Sequence, residues 1–594
     1  MSLSPPSVAI SVAILLQVFA IASGLAPVLG PDRELAGPDG YMRLLQVERL
    51  WAGGGWFDRF SPLTNAPLGE TSHWTRPFDL LLLAGAWPLS FLVETGRALY
   101  WSGYLAGPAL QLAAVAVLAW GLAPVLGRWN AAVAAMLFCT MPVLRGVFMA
   151  AQPDHHSLQM LLFVAVHVLT VRAALSGASP RFALGAGILS GTALWVGVEG
   201  LIATAAALAT LGPPWLWRGG AGREEDVRRF LWGFAAMTAA AFLLDRPPAE
   251  WSLAEYDRIS VVHLLLAAAM ATGWEAARRM PFARWGKGLA ATALAAGIVA
   301  LTFPRFFGGP LVDIDPRLLA EWGAWIGEAQ PLWPRSVDVG ARLVFDLGFL
   351  PFALPALLRG LGPAADERDR SLAIACLALL AILLPLGLSQ ERLAAYPEAI
   401  LAAPWARSLA ILAGIPRLPA LARGLAVAVA LTGHLFVAAH LQEMAEKEGN
   451  LPPPRRNCPW ARIAPTLKDL ASREGRRLTI LGYVHQGPEI AYRTGQAVVG
   501  SPYQRNRDGI LDTHVVLRST DMEEARRIVE ARKIDLIVVC RSGSEAGRYR
   551  DRGDNLFRKA LEGGEPPWLR RLPLPEGVAD EFAVLERRSG YSLR

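Results

Sequence analysis

The chain has 594 residues, 53% of them hydrophobic, with 20 Trp, a formal net charge of +7 and a mean hydropathy of +0.32. That apolar content excludes both an ordinary soluble globule and a disordered chain. Residues 451–594 carry 26 Lys+Arg against 19 Asp+Glu, which leaves 32 of each in residues 1–450, so the basic balance is a solvated face of a terminal domain and no sign of nucleic-acid binding.

Apolar segments near 20 residues, each long enough to cross a ~30 Å hydrocarbon core, recur at 8–29, 100–125, 130–148, 156–176, 181–198, 199–217, 229–246, 258–276, 288–304, 339–359, 371–389, 393–415 and 419–441. They predict about 13 transmembrane helices. The first has no positive flank and no small-residue cleavage site, so it reads as a span and not as a removed signal peptide. Arg128, Arg172 with Arg181, the run Arg218 to Arg229, Arg278 to Lys287, Arg359 to Arg370, and Arg417 with Arg423 fall mostly in alternate loops. The positive-inside rule makes those loops cytoplasmic and places the C-terminal domain outside. Segments 30–99, 149–155 and 305–338 then lie on the outer side and carry acids, Trp and His.

The expected organisation is a polytopic helical domain over 1–446, a linker over 447–460 containing LPPPRR (451–456), and a small α/β domain over 461–594. In that domain LTILGYV (478–484), DLIVVC (535–540) and EFAVLER (581–587) read as strands. MEEARRIVEARK (522–533) reads as an amphipathic helix with Ile528 on its apolar side. Cys139 and Cys376 fall in membrane helices; Cys458 and Cys540 are free to pair in an oxidising compartment.

Chemistry-bearing residues collect in the three outer segments. GPDGYMRLLQVERL places Asp39 in a Gly/Pro turn, AAQPDHHSLQM places Asp154, His155 and His156 at the start of a membrane helix, and EWGAWIGEAQPLW sets Glu328 between Trp325 and Trp333. Singly, Asp154 is a helix N-cap, Asp39 a turn residue and Glu328 a solvated acid. Together, Asp39, Asp154 and His156 offer hard oxygen ligands and one nitrogen suited to Mn²⁺ or Mg²⁺. HWTRPFD (73–79) reads as structural.

In their order and spacing these motifs resemble the catalytic subunit family of oligosaccharyltransferases. PDGYMR is similar to the family's first acidic motif, Asp154-His155-His156 to its second, and WIGEAQP to its fifth-loop acidic motif, with Trp325 where the family has Ser or Thr and with Gln330 in the Glu-x-Gln-Pro continuation. WVGVEG (195–200) and SQERLAAYPEAIL also resemble family segments, the latter placing Arg392 where the donor phosphate is met. The resemblance implies a GT-C-like fold with 13 membrane helices in a bacterial inner membrane, a periplasmic C-terminal domain, and a polyprenyl-linked sugar donor held in the lipid. It further implies metal-assisted, inverting transfer with Asp39 and Glu328 as catalytic groups and Arg392 on the donor phosphate. The family's Trp-Trp-Asp acceptor motif occurs nowhere in the chain, which predicts an acceptor other than the Asn-x-Ser/Thr sequon: protein, lipid or polysaccharide. The neighbouring reading is a polyprenyl-monophosphate monosaccharide transferase, against which Asp32 and Glu34 are separated by Arg33. A transporter or flippase would need charged spans or repeated halves, and a scaffold has no use for three acidic loop motifs.

Overall fold

The computed structural model describes residues 4–25, 34–176, 180–449, 458–550 and 553–588; Asp32 and most of the expected linker lie outside them. Helices dominate the first 447 residues. The first eight are α1 (Pro5–Ala22), α2 (Pro38–Trp51), α3 (Arg76–Leu89), α4 (Thr95–Leu126), α5 (Arg128–Thr140), α6 (Pro142–Val147), α7 (His156–Ser176) and α8 (Pro180–Val196). Next come α9 (Leu201–Arg218), α10 (Ala221–Asp245), α11 (Val261–Arg278), α12 (Arg284–Thr302) and the short α13 (Pro316–Glu321). The domain closes with α14 (Val337–Leu347), α15 (Leu350–Leu361), α16 (Glu367–Ser389), α17 (Ala395–Ala413) and α18 (Ala420–Lys447).

Among the described residues each of the thirteen apolar segments is a helix or a broken pair. Among the described residues α1, α4, α7, α10, α12, α16 and α18 are long and apolar enough to cross a membrane, and α14 with α15 forms an eighth such unit bent by 47°. The remaining five do not reach that combination of length and hydropathy, so a count of thirteen is a proposal. Protein surrounds some of these helices. In α17 nearly every residue from Ala395 to Leu409 is buried, and its Glu398 carboxylate accepts from the N–H groups of Val143 (3.1 Å) and Leu144 (2.8 Å). Pro142 starts α6 there, and the free donors of a helix start need such a partner away from water.

The segment 34–99 is more ordered than a loop. It holds α2, a hairpin of β1 (Phe60–Ser61) and β2 (Glu70–Thr71), and α3. Buried charges tie it down. Asp79 pairs with Arg43 at 2.8 Å and Arg76 at 3.0 Å, while Asp245 accepts from Arg59 at 2.5 Å and from Trp195 Nε1 at 2.7 Å. Removing one member would leave a buried charge uncompensated, which accounts for Arg76 and Asp79 of HWTRPFD.

The C-terminal domain is a five-stranded mixed sheet of order β4-β3-β5-β7-β6. Its strands are β3 (Thr479–Leu481), β4 (Ala497–Val498), β5 (Leu536–Cys540), β6 (Leu569–Arg571) and β7 (Phe582–Arg587). β3 is parallel to β4 and β5, and β7 runs antiparallel to β5 and β6. Around it pack α19 (Trp460–Glu474), α20 (Gly487–Thr494), α21 (Arg507–Arg518), α22 (Met522–Ala531), α23 (Gly547–Arg550) and α24 (Leu556–Glu562). The three expected strands and the expected helix are present, with Ile528 packed against the core. Cys458 and Cys540 form a disulfide, Cα–Cα 6.2 Å, that joins the start of the domain to the end of β5.

This domain is clamped onto the membrane domain. Ala66 N–H donates to Val498 O (3.0 Å) and Val498 N–H to Leu63 O (2.8 Å), so segment 63–66 covers the open edge of β4. Ser501 Oγ donates to Glu70 (2.7 Å), Arg505 pairs with Asp257 (2.7 Å) and Glu255 (2.9 Å), and Tyr41 OH donates to Glu489 (3.1 Å).

Candidate active site

Asp39 sits in the first turn of α2, after Gly37 and Pro38. Gly40 lets this helix end approach the segment before α7: a Cβ there would stand 3.0 Å from Pro153 Cδ. Gly107 of α4 does the same from below, since a Cβ would come within 2.7 Å of Met149 O. The backbone pairing Ala36 N–H to Ala151 O (2.9 Å) then locks the two segments side by side. Small residues and one peptide hydrogen bond thus bring Asp39 to Asp154 across more than a hundred residues of chain.

Asp154 is the hub. Its Oδ1 lies 2.8 Å from His155 Nδ1 and its Oδ2 lies 2.6 Å from His156 Nδ1. The two rings stand 4.3 Å apart between centroids. Asp154, His155 and His156 each offer a ligand atom within 4.8 Å of the others. Beyond them Glu199, in the turn between α8 and α9, faces His156 Nε2 at 3.7 Å and pairs with Arg392 at 2.7 Å. Arg392 lies in the one-turn helix leading into α17, and the Glu328 charge reaches both Arg392 and Asp39.

Electrostatics match this crowding. Burial, then the carboxylates of Asp154 and Glu328, push Asp39 up to about 7. Asp154 is buried too, yet the two histidine rings hold its carboxyl well below the usual range. Glu199 is likewise lowered: burial opposes its charge, but Arg392 and His156 outweigh it. The Arg392 guanidinium is raised, chiefly by Glu199. Asp154 and Glu199 therefore bridge two imidazoles and one guanidinium, while the charges of Asp39 and Glu328 act on the same cluster, an arrangement a divalent cation would discharge.

Two participants were not singled out from the sequence. Glu199 stands in the WVGVEG segment, but only the fold sets it between His156 and Arg392. Tyr503, from the C-terminal domain, lies beside Asp39 and meets Trp74 edge-on at 5.1 Å. Trp74 in turn lies under the Arg43 guanidinium, 4.1 Å from its centroid. Two residues named with the site hold the loop instead. Gln330 donates to the carbonyls of Gly323, Ala324 and Ile326, and Trp325 lies under the Arg548 guanidinium at 4.6 Å.

The segment carrying Glu328 is fastened at both ends. Leu332 N–H donates to Leu388 O (3.0 Å) and Glu391 N–H to Gln330 O (2.9 Å), which binds it to the Arg392 turn. On the other side Leu318 and Trp322 pack against Val484 and Ile510 of the C-terminal domain, and Glu321 pairs with Arg518.

No family model and no curated protein matches the sequence. Solved structures do match the fold. The archaeal oligosaccharyltransferase AglB from Archaeoglobus fulgidus, in complex with an inhibitory peptide and a dolichol-phosphate, superposes with a TM-score of 0.67 at 16% identity over 90% of this chain and 69% of that one. The Archaeoglobus fulgidus oligosaccharyltransferase tethered to an acceptor peptide containing the NVT sequon gives 0.67 at 15% identity, covering 90% of this chain and 68% of that one. The same enzyme with Zn and sulfate gives 0.62 at 16% identity, with the same coverage. At these identities the likeness is one of fold: this chain has the fold of the archaeal oligosaccharyltransferases and spans about two thirds of their length.

Proposed function

We propose that the protein is a membrane glycosyltransferase that moves a sugar or oligosaccharide from a polyprenyl-(di)phosphate carrier to an acceptor on the side bearing the C-terminal domain. On this reading that side is the periplasmic face of a bacterial inner membrane. The observation that carries the proposal is the convergence of Asp39, Asp154, His156, Glu199, Arg392 and Glu328, from five separate segments, at the loop ends of the helices. A lipid-anchored donor and a polar acceptor have to meet at that depth.

Asp39, Asp154 and His156, with His155 beside them, would hold a divalent cation. When bound, it neutralises charge developing on the leaving phosphate. The carboxylate oxygens of that set suit Mn²⁺ or Mg²⁺. Arg392 supplies a planar guanidinium to the same phosphate, and Glu199 aims it. Glu328, exposed on its anchored loop, orients the acceptor nucleophile or takes its proton. The acceptor differs from a sequon peptide on this reading. The segment 480–509, where a Trp-Trp-Asp reader would fall, instead contributes Tyr503 beside Asp39 and Arg505 to the clamp.

The test is sugar transfer by purified protein supplied with polyprenyl-mono- and diphosphate donors. Turnover should vanish with a chelator and return with Mn²⁺. Asp154→Asn should lose at least the roughly 10–100-fold that even indirect metal contacts are worth, and an Asn-x-Thr peptide should stay unmodified. Chelator-resistant turnover by Asp154→Asn would refute the metal assignment. Robust glycosylation of the peptide would refute the acceptor assignment.

A further inference from the structure

A cavity lies far from the acids. It has a volume of about 300 Å³ and opens between the ends of α4, α7, α9 and α16. Val125, Val171, Leu372 and Ile374 make its wall apolar, while Arg218 and Arg370 stand at its mouth beside Ser371. α7 begins at His156, α9 begins two residues after Glu199, and α16 ends three residues before Arg392. At 1.5 Å per residue Arg218, Ala174 and Arg370 of the cavity are therefore roughly 27 Å from the catalytic cluster along the helix axes. It belongs to the opposite membrane face.

Trp217, 70% exposed at the same level, marks the depth at which aromatic side chains meet lipid headgroups. Arg218 pairs with Glu367 at 2.5 Å and donates to Ser371 Oγ at 3.4 Å, and Arg370 donates to Gly362 O at 3.3 Å. Asp369 is engaged by Arg407 at 2.8 Å. The Glu367 side chain is itself 70% exposed, so it is a surface partner that holds Arg218 weakly. Each guanidinium has five N–H donors, and these contacts use only part of them. An apolar wall gives water no hydrogen bonds, so the interior suits a hydrocarbon chain.

We infer that this cavity binds an anionic phospholipid, one acyl chain lying among Val125, Val171 and Leu372 and the headgroup phosphate bridging Arg218 and Arg370. Basic groups over an apolar gap between helices fit that molecule through charge and shape together. A zwitterionic lipid offers the same chain but no net charge to the two guanidiniums. This site is independent of the transfer reaction proposed above.

Native mass spectrometry of the full chain, titrated with phosphatidylglycerol or phosphatidylcholine, tests the inference. Phosphatidylglycerol should be retained in preference. Arg218→Gln with Arg370→Gln should weaken its retention by roughly 30-fold. Ala174→Phe keeps both charges and fills the cavity, so it should expel the lipid as well while the protein stays folded. Equal retention of the two lipids, or unchanged phosphatidylglycerol binding in both variants, overturns the site.

Discussion

Glu328 is exposed, yet its charge is felt by Asp39 and by Arg392. Glu328→Gln keeps the shape and removes the charge. Transfer is expected to fall by about 10²–10⁴-fold with donor binding little changed, as read by turnover and by donor titration on one preparation. Wild-type transfer would assign Glu328 to loop structure, and parallel loss of affinity and rate would make it a donor or metal ligand. Glu70 offers a separate reading of burial. It is 3% exposed, and burial pushes it up to about 7 despite the contact with Ser501. The folded protein thus keeps a proton that the unfolded chain releases near 4.5, so stability falls as pH rises from about 4.5 to 7 and levels off above. Glu70→Gln should raise Tm relative to wild type at pH 8 and leave it nearly unchanged at pH 4. An equal difference at both values would show that Glu70 does not titrate in this window.

Among elements, the stretch from α13 to Gln330 decides how Glu328 is presented. It contains two short 3₁₀ turns, Gly323–Trp325 and Gly327–Ala329, too brief to hold their own shape. Order comes from Leu318 and Trp322 against Val484 and Ile510, from Arg518 on Glu321 and from Arg548 over Trp325. Trp322 is 8% exposed. Trp322→Ala should therefore cost roughly 3–5 kcal/mol of docking. Limited proteolysis should cut faster within 316–330 while the sheet of the C-terminal domain resists. An unchanged digestion pattern would mean that the Arg392 turn alone holds this segment. The contact of Arg548 with Trp325 gives that side chain a physical role in holding the loop to the domain.

The molecule as a whole is one membrane bundle and one sheet domain, joined by polar contacts such as Arg505 with Asp257 and by apolar ones such as Trp322 with Val484. The disulfide closes 82 residues of the C-terminal domain, whereas Cys139 and Cys376 are free and buried in the bundle. Unfolded without reductant, the chain should take up alkylating reagent only at those two positions; reduction should expose all four. Cys540→Ser should destabilise the C-terminal domain by about 2–5 kcal/mol, seen as a lower unfolding temperature for that domain. Alkylation of Cys458 without reductant would overturn the pairing.

Segments of about 20 apolar residues have one stable setting, a helix in lipid or packed inside other helices, so the sequence alone determined a helical membrane protein. Alternation and apolar runs likewise determined the positions of β3, β5, β7 and α22. Hydropathy could not separate a span facing lipid from a helix such as α17 that is covered by its neighbours, because both are apolar. Nor could it show that segment 34–99 folds into two helices and a hairpin, since that order rests on buried pairs such as Arg43–Asp79 and Arg59–Asp245 between distant residues. Asp39, Asp154, His156, Glu328 and Arg392 were legible by residue type and motif order. Glu199 and Tyr503 were not, because each matters through what it touches: one spans His156 and Arg392, the other comes to Asp39 from a different domain. Only the tertiary structure, by bringing Gly40 against Pro153 and clamping the sheet domain over α2, made those residues neighbours.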